Sequence, residues 1–105
     1  MSLDQTDELV AQWALDRGIT INGKVVTQIM KAMSEMGELA DATIKDDHEG
    51  FIDAVGDVLV CLKNACTLKG VTLAECYASA YNEIKDRKGY LNEHGNFIKS
   101  VTSSD

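Results

Sequence analysis

Residues 51–62 read FIDAVGDVLVCL, and the only polar side chains in this stretch belong to Asp53 and Asp57. A helix that is apolar on nearly all sides is typical of a buried helix, which predicts that both carboxylates point inward. Buried carboxylates are costly unless they are paired with a cation or bound to a metal ion. The next cation along the chain is Lys63. Two alternatives stay open: both acids reach solvent through a gap, or they meet a lysine from another segment.

Glycine divides the rest of the chain into helices, since the sequence contains no proline. A basic residue precedes glycine at 17–18, 69–70 and 88–89. Helices favour a basic last turn followed by glycine, so these pairs mark helix ends. The pattern predicts an all-α fold, an antiparallel bundle of about four helices. The expected helices span residues 3–17, 23–45, 48–69 and 72–88.

Shorter patterns predict local structure between and beyond these helices. The S/T-x-x-E/Q pattern at 2–5 and 72–75 is typical of a capping box at a helix start. The Ile-Thr-Ile sequence at 19–21 predicts an extended segment. A Gly-Asn turn at 95–96 predicts that the tail from Tyr90 to Asp105 folds back locally.

The second predicted helix has two different faces when it is projected at about 100° per residue. One face is an apolar stripe that we expect to form the core: Val26, Ile29, Met30, Met33, Ala40 and Ile44. The opposite face is polar and contains Gln28, Lys31, Glu35 and Glu38. Taken alone, two exposed glutamates on one helix are more often a solvated face than a site.

The acids of the third helix change this interpretation. If the second and third helices are antiparallel neighbours, Glu35 and Glu38 come close to Asp53 and Asp57. Hard divalent ions prefer carboxylate oxygens and water as ligands. The four acids therefore predict a site for Mg²⁺, with Mn²⁺ as an alternative.

Composition narrows the possible partners and the cellular location. A chain of 105 residues that is 45% apolar and 26% charged fits a single globular domain over residues 1–105. Its net charge of −7 argues against nucleic acid and anionic membranes as partners. The three cysteines never occur as CxxC, so we expect reduced thiols that fill the core. Without a recognisable signal peptide or membrane span, we expect a cytoplasmic protein.

Three motifs carry a resemblance to a known family. They are EMGELADA at 35–42, DAVGDVLV at 53–60 and AYNEIKDRKG at 80–89, followed by a last segment at 95–99. In this order they resemble the MazG-like, all-α nucleoside triphosphate pyrophosphohydrolases, most closely the short phage- or mobile-element type. The resemblance implies a Mg²⁺-dependent hydrolase that cleaves between the α and β phosphates and releases a nucleoside monophosphate and pyrophosphate. It also implies that helices from two or more chains complete each site.

The resemblance assigns roles to the acidic residues. The E-x-x-E pair of the family falls on Glu35 and Glu38, and the last acid of its E-x-x-D pair falls on Asp57. Glu35, Glu38 and Asp57 are therefore the expected catalytic residues and metal ligands. The chain departs from the pattern at Ala54, three residues before Asp57, where the family has an acid. The nearest acid is Asp53, four residues before, which we expect to be a further ligand.

The same resemblance points to residues that bind the substrate. The asparagine and basic residues of the family, which contact phosphates and sugar, match Asn82 and Arg87, with Lys85, Lys88 or Lys99 as further candidates. All of them lie within or after the last predicted helix. A basic residue at a helix C-terminus also stabilises the helix dipole, which is the simpler explanation for Lys85. Lys31 precedes Glu35 by one turn and could bind phosphate or simply pair with that carboxylate.

Two other functions stay open at this point. The chain could be a non-catalytic helical oligomerisation or metal-binding module, or a related pyrophosphohydrolase that acts on phosphoribosyl-ATP. Four helices, one of them apolar on nearly every side, offer more apolar surface than one small bundle can cover. We therefore expect a homodimer or homotetramer.

Overall fold

The computed structural model describes residues 1–100 of the chain. Within them lie five helices and two short strands: α1 Leu3–Asp16, α2 Ile19–Asn22, α3 Val25–Ile44, α4 His48–Lys69, α5 Leu73–Ile84, β1 Gly89–Leu91 and β2 Phe97–Lys99. The all-α class is confirmed. Contacts divide the chain into two compact units, Met1–Leu73 and Ala74–Asp105. The assignment of residues 1–105 to one domain stays a prediction.

The helix ends of the first unit follow the glycine pattern. Gly18 and Gly70 adopt left-handed backbone, with φ of 73° and 82°, a conformation that glycine adopts without steric cost. The Ser2 side chain accepts a hydrogen bond from the backbone of Gln5 and completes the predicted capping box. The prediction of an extended segment at 19–21 is wrong, because these residues form the helical turn α2.

The first unit is built around the hairpin of α3 and α4, which are joined by residues 45–47. The buried side chains of this hairpin are small, apart from one asparagine: Ala32, Ala42, Ala54, Cys61, Asn64 and Ala65. No large side chain among the described residues is fully buried. The α1 helix adds Ala14 to this core and contacts α4 through an ion pair between Lys63 Nζ and Asp7 Oδ2, 2.9 Å apart.

The apolar stripe predicted as core on α3 is exposed within the single chain. Met33 is 62% exposed and Ile44 83% exposed, and Val26, Ile29, Met30 and Ala40 are exposed as well. The prediction was wrong because the face of α3 that is buried within the chain contains Gln28, Ala32, Glu35, Leu39 and Ala42 instead. Helical periodicity identifies two faces but does not say which of them a neighbouring helix covers.

The prediction that α4 is buried on nearly all sides is also wrong for the single chain. Phe51, Ile52 and Leu59 are exposed. Asp53 and Asp57 are exposed too, so the expectation that both point inward is corrected. The reason is that α4 contacts α1, α2 and α3 along part of its circumference and leaves the rest open.

The second unit contains α5 and a β-hairpin. The α5 helix ends at Ile84, earlier than the predicted residue 88. Strands β1 and β2 pair antiparallel, with Tyr90 opposite Ile98. The Asn92 side chain accepts hydrogen bonds from the backbone N–H groups of His94 and Asn96 and closes the connecting turn. The predicted local fold-back of the tail is confirmed to residue 100, and residues 101–105 lie outside the described part.

The cysteines and the helix lengths test two further expectations. All three cysteines are reduced thiols, as predicted. Cys61 is buried, but Cys76 is exposed on α5, so its expected core-filling role is wrong. A search of the described residues found no helix with the length and apolar character needed to cross a membrane.

Candidate active site

Three carboxylates meet where the middle of α3 faces the first half of α4. Glu35 and Glu38 lie one turn apart on α3, and Asp57 lies on α4. One carboxylate oxygen from each residue lies within 4.8 Å of the other two. Glu35 is half-buried, whereas Glu38 and Asp57 are exposed. The helix hairpin thus brings together the three acids expected to be catalytic, and the group opens to solvent on one side.

The environment of Glu35 is unusual for a glutamate. A side-chain hydrogen bond with Glu38 raises the pKa of Glu35, with smaller increases from burial and from the negative charges of Glu38 and Asp57. Lys31 opposes these effects and lowers the pKa. Glu35 Oε2 is buried and has no hydrogen-bond partner within the described residues. A buried carboxylate oxygen without a partner is costly, so this atom is suited to a ligand that the protein itself does not supply.

The three carboxylates fit a hard divalent cation. Oxygen ligands lie about 2.0–2.6 Å from Mg²⁺ or Ca²⁺, so two ligands of one ion can be up to about 5 Å apart. The 4.8 Å limit that encloses the three oxygens agrees with this geometry. The buried, unpartnered Oε2 of Glu35 is an acceptor that a cation could satisfy. The donor set contains carboxylates alone, which favours Mg²⁺ or Mn²⁺ over softer metals.

An open cavity of about 260 Å³ begins at this group and continues toward the α3–α4 connection. Glu38 and Asp57 form part of its wall; the other lining residues are Asp41, Ala42, Lys45, Asp47, Gly50, Asp53 and Ala54. Asp53 therefore lines the cavity, but it is not one of the three acids whose oxygens lie within 4.8 Å. Its expected role as a metal ligand stays a prediction.

Asp41 and Lys45 also line this cavity, and neither was predicted from the sequence to belong to a site. Asp41 follows Glu38 by three residues, and a search for acids at helical spacing from Glu38 would have found it. Asp47 accepts a hydrogen bond from the backbone N–H of Gly50 at 3.0 Å and caps the start of α4. Its presence in the cavity is explained by this capping role.

Lys31 lies close enough to the carboxylates to influence them, since its charge lowers the pKa values of both Glu35 and Cys61. Burial, the largest effect on Cys61, nevertheless raises the pKa of its thiol. Cys61 is therefore a neutral packing group beside the site rather than a nucleophile.

The other expected substrate-binding residues belong to the second unit. Asn82 lies on α5, Lys85 and Arg87 lie between α5 and β1, and Lys99 lies on β2. Arg87 is half-buried. The three clustered carboxylates, in contrast, belong to the first unit. The roles assigned to them stay predictions.

Comparison with known proteins adds one positive finding. The sequence profile of the family described as phosphoribosyl-ATP pyrophosphohydrolase matches residues 20–83. A search of curated proteins and a search of solved structures each found no match. The matched range includes all of α3 and α4 with the three clustered acids, and it ends after Asn82 and before Lys85. It covers more than half of the chain, which therefore belongs to this family of MazG-like, all-α pyrophosphohydrolases.

Proposed function

We propose that this member of the phosphoribosyl-ATP pyrophosphohydrolase family is a metal-dependent nucleoside triphosphate pyrophosphohydrolase. It would hydrolyse an NTP or dNTP between the α and β phosphates and release a nucleoside monophosphate and pyrophosphate. One observation carries the metal-dependent part of the proposal. Glu35, Glu38 and Asp57 offer oxygens within 4.8 Å of one another, and Glu35 Oε2 is buried without a partner.

Glu35, Glu38 and Asp57 would hold Mg²⁺, or Mn²⁺ in its place. When bound, such an ion neutralises phosphate charge and lowers the pKa of a bound water. The raised pKa of Glu35 means that protons compete with the cation for this carboxylate. Lys31 reduces that competition, because its positive charge favours the ionised form of Glu35.

Hydrolysis also requires a group that accepts the proton of the attacking water. Glu38 is exposed and lines the cavity next to the carboxylates, so a water molecule can reach its side chain. We assign the role of general base to Glu38 for this reason, through the carboxylate oxygen that does not bind the cation. Glu35 is half-buried, which suits it better to binding the cation than to exchanging protons with water.

The phosphates of the substrate need positive partners, and the lining of the cavity beside the carboxylates includes one, Lys45. Lys31 is exposed on α3 and acts electrostatically on Glu35, so it is suited to a phosphate near the cation. Within the second unit, the resemblance to the family makes Asn82, Lys85, Arg87 and Lys99 the proposed residues for contact with phosphate or sugar. The guanidinium of Arg87 can bind a phosphate through two parallel hydrogen bonds.

A second substrate is favoured by a specific observation. The matching family is described as phosphoribosyl-ATP pyrophosphohydrolase. Phosphoribosyl-ATP carries a triphosphate, and its hydrolysis between the α and β phosphates makes the same demands on the carboxylates. Membership of a hydrolase family argues against the non-catalytic module considered above.

A nucleotide panel tests the proposal. The full chain is incubated with each NTP, each dNTP and phosphoribosyl-ATP, with and without Mg²⁺, and pyrophosphate is measured. We expect release from at least one nucleotide, dependent on the metal. The variant Asp57→Asn should lose this release. Its matched control is Asp16→Asn, the same chemical change on an exposed residue at the end of α1, which should keep full activity. Release of orthophosphate instead of pyrophosphate, or no release at all, would reject the proposal.

We also propose that two or more copies of the chain cover the exposed stripe of α3. Large apolar side chains rarely remain exposed in such numbers in a stable monomer. Gly37 lies within this stripe, and a Cβ at this position would meet no atom within 4 Å. Glycine in the middle of a helix costs stability, and close approach of another backbone is a reason to retain it. A homodimer or homotetramer is therefore expected.

A further inference from the structure

We propose that a buried amide pair, Gln28 and Asn64, sets the axial register of α3 against α4 and thereby places Glu35 opposite Asp57. Asn64 Nδ2 donates a hydrogen bond to Gln28 Oε1 at 3.3 Å. Asn64 is 3% exposed and is the one buried polar side chain of the described residues. Gln28 and Asn64 are positioning residues in this proposal, because they act on the site through the two helices.

The spacing along both helices connects this pair to the carboxylates. Gln28 precedes Glu35 by seven residues on α3, and Asn64 follows Asp57 by seven residues on α4. Both contacts therefore belong to the same antiparallel register. Seven residues are two helical turns, about 10.5 Å along each axis. A shift that separates Gln28 from Asn64 must separate Glu35 from Asp57 by the same amount.

The remaining contacts between the two helices specify register weakly. The other buried side chains of the hairpin are small and similar in shape: Ala32 and Ala42 on α3, and Ala54, Cys61 and Ala65 on α4. Small apolar side chains of similar shape fit one another in more than one register, whereas a buried amide needs a particular partner. A shift of one turn moves the helices by about 5.4 Å, more than the whole distance between a cation and its ligand.

The amide pair and the connection between the helices act at opposite ends of the hairpin. Residues 45–47 link α3 to α4 and fix the end near the cavity. Gln28 lies near the start of α3 and Asn64 near the end of α4, so their hydrogen bond fixes the other end. The carboxylates lie between these two points. Both ends must be held for Glu35 and Asp57 to keep their separation.

The pair is badly suited to a purely stabilising role. Asn64 Oδ1 is buried and has no hydrogen-bond partner within the described residues. A polar atom in this condition lowers stability. Replacing both amides by apolar side chains can be nearly neutral or stabilising, whereas replacing one leaves the other without its partner. Stability and register can therefore be separated by experiment. Only the metal readout rests on the proposed function.

The test replaces Asn64 by leucine in the full chain and measures two quantities: melting of the metal-free protein, and Mn²⁺ affinity by titration calorimetry. We expect Asn64→Leu to bind Mn²⁺ roughly tenfold more weakly or worse. The double variant Gln28→Leu with Asn64→Leu, which leaves neither amide unpaired, should show the same loss of affinity and melt at or above the parent temperature. Exchanging the two amides, Gln28→Asn with Asn64→Gln, should restore most of the affinity. The control Leu68→Ala, at a half-buried position one turn after Asn64, should melt lower and keep the parent affinity.

A second measurement does not involve metal. Nuclear Overhauser contacts between α3 and α4 in the metal-free protein report the register directly, and Asn64→Leu should shift them or produce two sets. Unchanged contacts in this variant, or unchanged Mn²⁺ affinity, would overturn the proposal. If the parent itself binds no Mn²⁺, the proposed metal site fails, and the α3–α4 contacts alone decide whether the amide pair sets the register.

Discussion

The two faces of α3 have the opposite burial to the faces of an ordinary surface helix. The face that is buried within the chain contains Gln28, Ala32 and Glu35, which are polar or small. The outer face exposes the large apolar side chains of Met30 and Met33. A surface helix of a globular protein normally buries its large apolar residues and exposes its polar ones.

This reversal separates two tasks that one helix performs. The inner face holds the carboxylates and the amide that positions them, and the small residues between them let α3 and α4 approach closely. The outer face supplies the apolar area that one chain leaves uncovered. We infer that catalysis depends on the inner face and that most of the missing hydrophobic stabilisation comes from association through the outer face.

The largest effect is expected on the inner face, from Asp57→Asn. This change removes one of the three clustered carboxylates and nearly keeps its shape, so pyrophosphate release should fall by about 100-fold or more. The metal-free variant should melt at or above the parent temperature, because one of several like charges is gone. Most of the thermal stabilisation by Mg²⁺ or Mn²⁺ should disappear.

Melting curves with and without metal, together with the activity assay, check this prediction, and Asp16→Asn serves as the control. Strong destabilisation of the metal-free variant would instead identify Asp57 as a structural group. Full activity would show that Asp57 is not part of the site.

The next largest effect is expected on the outer face, from Met33→Glu. A charge in the centre of the exposed stripe should convert the oligomer to a monomer and lower stability by about 1–3 kcal/mol. Light scattering and thermal melting measure the two effects. Thr27→Glu, which adds the same charge to the side of the stripe, should leave the assembly intact. A parent chain that is already monomeric and active at micromolar concentration would contradict this prediction.

A smaller effect is expected from Asp53→Asn. Asp53 lines the cavity but lies outside the group of three acids, so we expect a loss of activity below about tenfold. The loss should appear mainly as a higher Mg²⁺ concentration at half-maximal activity. Titration of activity against Mg²⁺ for this variant and for Asp57→Asn checks the difference. Equal losses in the two variants would place Asp53 among the direct ligands.

The smallest effect is expected from Glu35→Gln in the absence of metal. The pKa of Glu35 is raised above its ordinary value of 4.5, so the folded state binds the proton more tightly than the unfolded state. The stability that this carboxyl contributes is therefore present below that value and is lost as pH rises toward the raised pKa. Glutamine does not titrate.

The Glu35→Gln variant should therefore melt at a higher temperature than the parent near neutral pH, with the difference vanishing in acid. Thermal melting across this pH range measures the effect. A variant that is less stable than the parent at neutral pH, or a difference that grows in acid, would show that the folded state does not raise the pKa of Glu35.

Much of the local structure could be predicted from sequence because its causes are local. Left-handed backbone at Gly18 and Gly70 ends α1 and α4, and both ends were expected from the basic residue that precedes each glycine. The meeting of Glu35, Glu38 and Asp57 followed from helical spacing and from the antiparallel arrangement of two consecutive helices.

The errors concern which face is covered and where a side chain points. The stripe around Met33 was assigned to the core because apolar residues usually face a core, and the sequence does not show whether another helix of the same chain covers them. Asp53 and Asp57 were expected to be buried for the same reason. Asn64 was overlooked because a single asparagine in a helix has no periodic signal, although it is the most informative buried residue of the hairpin.

The most direct test of the metal site is a crystal of the full chain soaked in Mn²⁺ and measured at a wavelength where manganese scatters anomalously. We expect an anomalous peak between α3 and α4, within about 2.0–2.6 Å of one oxygen each from Glu35, Glu38 and Asp57. No peak there in crystals that hold Mn²⁺ elsewhere, or a peak that these three carboxylates do not contact, would contradict it.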